Sequence, residues 1–149
     1  MIVSVAGRAD LFLDLWRAAH RAERLVAREL EAAGVDGSQL ATVALLARLG
    51  PATTTELAEE LGVPFMTMSD VLERLAKRRE VERTPNPADR RSSLWSLTAA
   101  GHERRRASEA PLRRALRAVE KHAAQPLDEL HDGVNALNDA MRAAEEPGA

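Results

Sequence analysis

The run Asp89, Arg90 and Arg91 carries the most distinctive chemistry in this sequence. It follows a turn-forming stretch, residues 85–88 (Pro-Asn-Pro-Ala), and it precedes a candidate strand from Ser92 to Leu97. Guanidinium groups bind phosphate oxygens through charge-assisted hydrogen bonds, and Asp89 could hold Arg91 in place by the same kind of bond. The run therefore predicts a hairpin tip that binds a phosphate-bearing partner. The alternative interpretation is a surface turn with an ordinary exposed ion pair.

Two short helices are predicted before this hairpin. Thr53 and Glu56 have the S/T-x-x-E spacing of a capping box, and Gly62 supplies the left-handed residue that ends a helix. A second helix is predicted to begin near Pro64. Its buried face is expected to consist of Met68, Val71, Leu72 and Leu75. Two helices separated by a turn and followed by a hairpin from Val81 have the order of a helix-turn-helix with a wing.

The outer face of the second short helix supplies further candidates for binding DNA. Its first turns would enter the major groove, where side chains meet base edges and thymine methyl groups. The candidate residues are Phe65, Met66, Thr67, Ser69, Asp70, Arg74 and Lys77. Arg74 and Lys77 are better placed for phosphates, which set register and affinity rather than sequence choice. Phe65 and Met66 could instead pack against the preceding helix.

Longer amphipathic helices are predicted on both sides of this unit. They run from Asp10 to Ala33, from an expected N-cap near Ser38 to Gly50, from an expected N-cap at Thr98 onward with Pro111 inside, and from Leu127 to Met141. The second of these is expected to bury Leu40, Val43, Ala44, Leu46 and Ala47. A single winged domain cannot cover the apolar faces of the first of these helices and of the two that follow the hairpin, so these three helices are predicted to pair with a second copy. The alternative is that these apolar faces pack only against the core of their own domain.

The charge of the chain is unevenly distributed. Residues 64–106 contain ten Lys and Arg and six Asp and Glu residues, a net charge of +4. The whole chain has a net charge of −2, which leaves −6 for the rest. A basic segment in an acidic chain is typical of local attraction to nucleic acid, whereas a charge run taken alone indicates a solvated face.

The composition argues against several other functions. The 149 residues include no Cys, which excludes a disulfide, a thiolate nucleophile and a thiol redox switch. No G-x-S-x-G, Gly-rich phosphate loop or H-E-x-x-H motif occurs, and the four His residues are scattered. We therefore expect neither an enzyme nor a metal or other cofactor. No apolar stretch approaches the roughly 18 residues of a membrane span, and no signal peptide is evident, so a cytoplasmic protein is expected.

The wing region resembles that of the MarR family of bacterial transcription regulators. Residues 89–98 fit the family's D-x-R-x-x-x-x-x-L-T pattern, and shorter matches occur upstream at the same spacing. These matches are Gly50-Pro51, Glu56-Leu57-Ala58, Leu61-Gly62-Val63, Thr67, Leu72, Arg74 and Leu75. The resemblance implies a mainly α fold with a small β-hairpin wing. It implies one domain, residues 1–149, with a winged helix-turn-helix unit at about 36–98 between dimerisation helices at about 9–33 and 99–145.

The resemblance also implies a function. It implies a homodimeric repressor that binds a palindromic operator in double-stranded DNA and is released by a small molecule, often an aromatic or phenolic acid in such regulators. Arg91 would enter the minor groove, and Arg90 would lie along the backbone or reinforce Arg91. Trp16 and His20, one turn apart on the first helix, are candidates for lining the effector pocket. In the alternative interpretation, Trp16 belongs to the core and His20 to the surface.

Three departures from the family pattern fall in this region. Asp70 stands where relatives often have Arg, Pro64 where they have a Ser-like N-cap, and Arg79-Glu80 where they have Gly-Leu. Phosphate repels an acid, but Asp70 could accept a hydrogen bond from cytosine N4 or pair with Arg74. These departures support a second hypothesis, a helical dimer with weakened DNA binding that acts through a protein partner. The salt dependence of DNA affinity distinguishes the two hypotheses, because binding that neutralises several phosphates weakens steeply as the salt concentration rises.

Overall fold

The computed structural model describes the backbone of residues 5–145 and the side chains of residues 10–145. This part of the chain contains six helices and one antiparallel hairpin, which confirms the predicted mainly α fold with a small wing. The elements are α1 (Val5–Ala32), α2 (Leu40–Leu49), α3 (Thr54–Leu61), α4 (Phe65–Lys77), β1 (Val81–Pro85), β2 (Ser93–Leu97), α5 (Ala99–Glu120) and α6 (Leu127–Glu145). They fall into two compact units, one ending at Leu112 and the other beginning at Arg113.

The two ends of α3 form as the sequence predicts. The Thr53 hydroxyl accepts a hydrogen bond from the Glu56 N–H at 3.2 Å, and the Glu56 carboxylate accepts one from the Thr53 N–H at 2.7 Å. These two bonds make the capping box. Hydrogen bonds from the Thr53 N–H and from the Thr53 hydroxyl to the Glu56 carboxylate lower its pKa because they favour its charged form. Gly62 ends the helix with φ +62°, a conformation that costs glycine little.

The core of the first unit fixes which face of α4 points outward. Met68, Leu72 and Leu75 are fully buried, and Val71 is partly buried. They pack with side chains of α2, α3 and β1, including Val43, Leu45, Leu46, Leu57, Ala58 and Val81. The predicted core face of α4 is therefore confirmed, and the candidate DNA-binding residues of that helix lie on its other faces.

The prediction for the start of α2 was wrong. Ser38 does not cap this helix, which begins at Leu40 after Gln39 in a left-handed conformation without a side-chain cap. The reason is local: the Asp36 carboxylate accepts the Ser38 N–H at 2.8 Å and folds residues 36–38 into a turn. The buried face is also rotated from the predicted one. Ala44 is exposed and Ala47 only partly buried, whereas Thr42 and Leu45 join Leu40, Val43 and Leu46 in the interior.

The hairpin is held to the body of the unit at its second strand. The strands pair from Val81 opposite Leu97 to Pro85 opposite Ser93. Trp95 exchanges two backbone hydrogen bonds with Ala52, of 2.8 and 3.1 Å, just before α3. Because α3 also packs against α4, the wing and α4 share one framework.

Several apolar side chains of the long helices are exposed on the chain as described. They include Phe12 and Trp16 on α1, Leu116 and Val119 on α5, and Leu130 and Val134 on α6. The Thr98 hydroxyl caps α5 by accepting the Gly101 N–H at 3.2 Å, as predicted. Pro111 lies inside α5, which continues to Glu120. No helix of the described residues is long and apolar enough to cross a membrane.

Candidate nucleic-acid interface

The outer face of α4 presents most of the predicted site residues to solvent. Phe65, Met66, Thr67, Asp70, Arg74 and Lys77 are exposed, and Ser69 is partly buried. The exposure of Phe65 and Met66 disfavours the alternative in which they pack against α3. Pro64, at the N-cap, makes no side-chain cap bond. The first turn of α4 therefore offers apolar side chains, a hydroxyl and backbone N–H groups, which suit base edges and phosphates.

The tip of the wing is shaped by hydrogen bonds within the turn. Asn86 donates to the Ser92 hydroxyl at 2.9 Å and accepts the Ala88 N–H at 3.0 Å. The Asp89 carboxylate accepts the Arg91 N–H at 2.9 Å. Asp89, Arg90 and Arg91 are all exposed.

The proposed role of Asp89 therefore needs a correction. It was expected to hold the Arg91 guanidinium, but it binds the backbone of Arg91 instead. Within residues 10–145, no ion pair joins the side chains of Asp89 and Arg91. A carboxylate two residues before a backbone N–H closes an Asx-turn more readily than it reaches a long side chain. The guanidinium groups of the tip are left to face solvent.

Sequence reasoning missed Arg83 as a member of the wing surface. The hairpin register places Arg83 opposite Trp95, and its guanidinium carbon lies 5.8 Å from the centre of the indole ring. Trp95 is partly buried against the core and donates from Nε1 to the Thr54 hydroxyl at 3.1 Å. Arg83 thereby adds a positive charge along the strand that leads to the tip. Its position across from an aromatic residue was the signal that could have revealed it.

A polar cluster with a nearly buried ion pair at its centre fixes the far end of α4. We call it the polar joint; its residues are Asp36, Arg78, Glu80 and Arg104. The Arg104 side chain is only 8% exposed and the Glu80 side chain 14%, and the two form an ion pair. Arg104 also donates to the backbone oxygens of Asp36 and Ser38. Arg78 donates to the Asp36 carboxylate at 2.8 Å and lies 3.3 Å from Glu80.

The polar joint connects three separate segments. Arg78 ends α4 and Glu80 precedes β1, while Arg104 belongs to α5 and Asp36 to the loop before α2. Hydrogen bonds from the Ser38 hydroxyl and N–H lower the pKa of Asp36, and the positive charges of Arg104 and Arg78 lower it further. The departure from the family pattern at position 80 thus has a structural role. The joint holds the end of α4 and the base of the wing against α5.

The backbone at the same place is tightly packed. Arg79 has φ +59°, a conformation that favours glycine, and the Thr98 hydroxyl donates to its carbonyl at 2.6 Å. A Cβ at Gly101 would lie 2.2 Å from the Glu80 carbonyl oxygen. Only a residue without a side chain allows α5 to approach the start of β1 this closely.

The two effector candidates lie together on α1. The rings of Trp16 and His20 are 4.4 Å apart between centroids, and His20 Nδ1 is 3.2 Å from the Trp16 carbonyl oxygen. Trp16 is 60% exposed, so it does not belong to the core of the described chain. The structure brings no group of three or more His, Cys, Asp or Glu side chains within metal-binding reach among the residues it describes.

Comparisons with known proteins agree with this architecture. Residues 33–92, which span α2, the helix-turn-helix and most of the wing, match the model of the MarR family. No curated protein sequence gives a significant match. Among solved structures, a probable transcriptional regulator from Pseudomonas aeruginosa is 28% identical, with a TM-score of 0.70 over 83% of this chain and 92% of that one.

Two other solved structures share the fold at lower identity. A mutant of MarR from E. coli complexed with operator DNA is 22% identical, with a TM-score of 0.70 over 86% of this chain and 96% of that one. NadR in complex with 4-hydroxyphenylacetate is 22% identical, with a TM-score of 0.72 over 85% of this chain and 90% of that one. The match of residues 33–92 to the MarR family model and the shared fold agree with the resemblance of the wing motif to that family.

Proposed function

We propose that this protein is a transcription regulator that binds double-stranded DNA through α4 and the wing. The observation that carries the proposal is the division of α4 into two faces. Its apolar face is buried in the core, while its outer face and the guanidinium groups of the wing tip are exposed on the same compact unit. The solved complex of E. coli MarR with operator DNA supports it. This role requires no catalysis and no cofactor.

In this proposal the two parts of the site do different work. The first turns of α4 enter the major groove, where Phe65 and Met66 contact thymine methyl groups and Thr67 and Ser69 bond bases or phosphates. Arg74 and Lys77, in the last turns, bind phosphates and set the register. The wing tip reaches the adjacent minor groove.

At the wing, Arg91 enters the minor groove, where a narrow groove concentrates negative potential. Arg90 binds the DNA backbone beside the groove. Asp89 shapes the turn by accepting the Arg91 N–H. The Asp89 carboxylate is thereby occupied by the protein backbone, so it adds shape to the tip without neutralising either guanidinium. This division makes Arg91 the residue whose loss should weaken DNA binding most clearly.

A homodimer completes the proposal. Exposed apolar side chains on α1, on α5 and on α6 give each of these helices a surface that a second copy can cover. A twofold dimer presents two α4 helices about 34 Å apart, one turn of B-DNA, and thus favours a palindromic operator.

Release by a small molecule is the regulatory part of the proposal. NadR has been solved in complex with 4-hydroxyphenylacetate, a phenolic acid, which supports an aromatic or phenolic effector. The stacked rings of Trp16 and His20 offer an aromatic surface and an imidazole to such a ligand. The regulator then acts as a cytoplasmic repressor that leaves its operator when the effector binds.

The test is a binding titration of purified dimer on its own upstream DNA by fluorescence anisotropy. Arg91→Ala should weaken binding by about 1–3 kcal/mol and leave the dimer intact. Lys121→Ala is the matched control, because it removes one exposed positive charge after the end of α5. Unchanged affinity of Arg91→Ala would contradict the assignment of the wing.

Salt dependence distinguishes the second candidate function, a dimer that acts through a protein partner. Asp70 on the exposed face of α4 favours that candidate, since an acid weakens attraction to phosphate. A DNA-binding dimer should lose affinity steeply between low and physiological salt. Absence of any DNA complex at low salt would favour the protein partner.

A further inference from the structure

Asp70 occupies the centre of the outer face of α4. Met66 and Arg74 lie four residues before and after it, so the three side chains follow one line along the helix. Met68 and Leu72, on the opposite side, are fully buried, which fixes this line toward solvent. In a helix that lies in the major groove, side chains of the first and second turns meet base edges, and Asp70 belongs to the second turn.

The carboxylate of Asp70 is not used by the protein. Among residues 10–145, no hydrogen bond or ion pair engages it, and its neighbour Arg74 does not pair with it. The alternative that Asp70 serves an internal ion pair on α4 is therefore disfavoured. Two other acids near the site do have partners, since Glu80 binds Arg104 and Asp89 binds a backbone N–H.

The chemistry of the major groove restricts what this carboxylate can accept. Phosphates and the acceptor atoms of guanine and thymine repel it. Adenine presents a donor at N6 but an acceptor at the adjacent N7, whereas cytosine presents the N4 amino group without an acceptor beside it on the same base. A carboxylate at this position therefore favours cytosine over the other three bases.

We propose that Asp70 is a specificity-determining residue that selects a cytosine in each half of the operator. This inference rests on the proposed function, because it assumes that α4 enters the major groove. Asp70 lowers the affinity for DNA in general through repulsion of phosphate, and it recovers affinity only where cytosine N4 lies opposite. The sequence preference of the site thus comes partly from rejection of other bases.

The experiment is an in vitro selection of bound DNA with the wild-type dimer and three variants. The wild-type protein should select a symmetric sequence with one cytosine position in each half-site, preferred by at least about fivefold. Asp70→Asn should shift that position to adenine, because an amide pairs with adenine N6 and N7. Asp70→Ala should lose preference at that position and keep the others. Glu73→Gln is the control: it removes the same charge from the same helix and should keep the cytosine.

Two outcomes overturn the inference and are distinguishable. If the wild-type protein enriches no sequence, the proposed function fails and the inference fails with it. If it enriches a symmetric sequence and Asp70→Ala keeps the same preference at every position, the inference alone fails. In that second case, a uniform rise in affinity for all sequences would show that Asp70 only weakens phosphate binding.

Discussion

Replacement of Arg104 by alanine tests whether the polar joint holds the end of α4. The guanidinium of Arg104 is almost fully buried and pairs with the nearly buried Glu80. Removal of one partner from such a pair costs roughly 3–5 kcal/mol, because the other charge is left buried without compensation. Arg78 remains 3.3 Å from Glu80, so we expect the lower end, a loss of about 3 kcal/mol in the free energy of unfolding.

That loss is a large part of the stability of a typical domain, which is about 5–15 kcal/mol. For a chain of this size it should lower the melting temperature by about 6–12 °C. The measurement is urea or thermal unfolding followed by circular dichroism. Wild type and variant must be compared at one protein concentration, since the stability of the proposed dimer would depend on it.

Arg106→Ala is the matched control, because it makes the same substitution two residues along the same helix. Arg106 is paired with Glu103, but the two side chains are 61% and 72% exposed. Exposed pairs contribute about 0–1 kcal/mol, so this variant should unfold close to wild type. If the free energies of unfolding of Arg104→Ala and Arg106→Ala differed by less than about 1 kcal/mol, the Arg104–Glu80 pair would not stabilise the end of α4 as proposed.

Two further perturbations probe the same region. Arg79→Gly should stabilise the protein by about 0.5–1 kcal/mol, because the left-handed backbone at φ +59° suits glycine; a loss of stability in urea unfolding would show that the Arg79 side chain contributes more than its strain. Asp36→Asn should destabilise the protein at neutral pH. The pKa of Asp36 is lowered below 3.8 in the folded state, so the contribution of its charge is fully present well above pH 3.8 and is lost as the pH falls through the lowered value. The difference between wild type and Asp36→Asn in an acid unfolding series should therefore shrink below pH 3.8; a constant difference would contradict it.

Local sequence signals predicted most of the fold because the physics behind them is local. The capping box of α3, the left-handed Gly62 and the apolar face of α4 each depend on residues within two helical turns, and all three formed as expected. The start of α2 was mispredicted because two local signals compete there. Ser38 is a favourable N-cap, but Asp36 captures its N–H in a turn first.

The polar joint could not be predicted from local spacing. Arg104 lies 24 residues from Glu80 and 68 from Asp36 along the chain, so no periodic pattern connects them. The sequence showed Arg79-Glu80 only as a departure from a family pattern. The role of Glu80 becomes visible only in the fold, which brings the end of α4, the base of the wing and α5 together. A buried ion pair of this kind can be recognised only after the packing of its elements is known.

The joint also changes how the basic segment should be interpreted. Residues 64–106 carry a net charge of +4, which suggested a broad basic footprint. Arg78 and Arg104 are used inside the joint, and Arg106 is paired with Glu103. Positive charge on the outer surface therefore concentrates along the last turns of α4 and on the wing. The exposed positively charged residues there are Arg74, Lys77, Arg79, Arg83, Arg90 and Arg91, and Arg105 is the remaining one on α5. Because salt sensitivity depends on the number of phosphates neutralised, affinity for DNA should depend on these residues rather than on the charged first turns of α5.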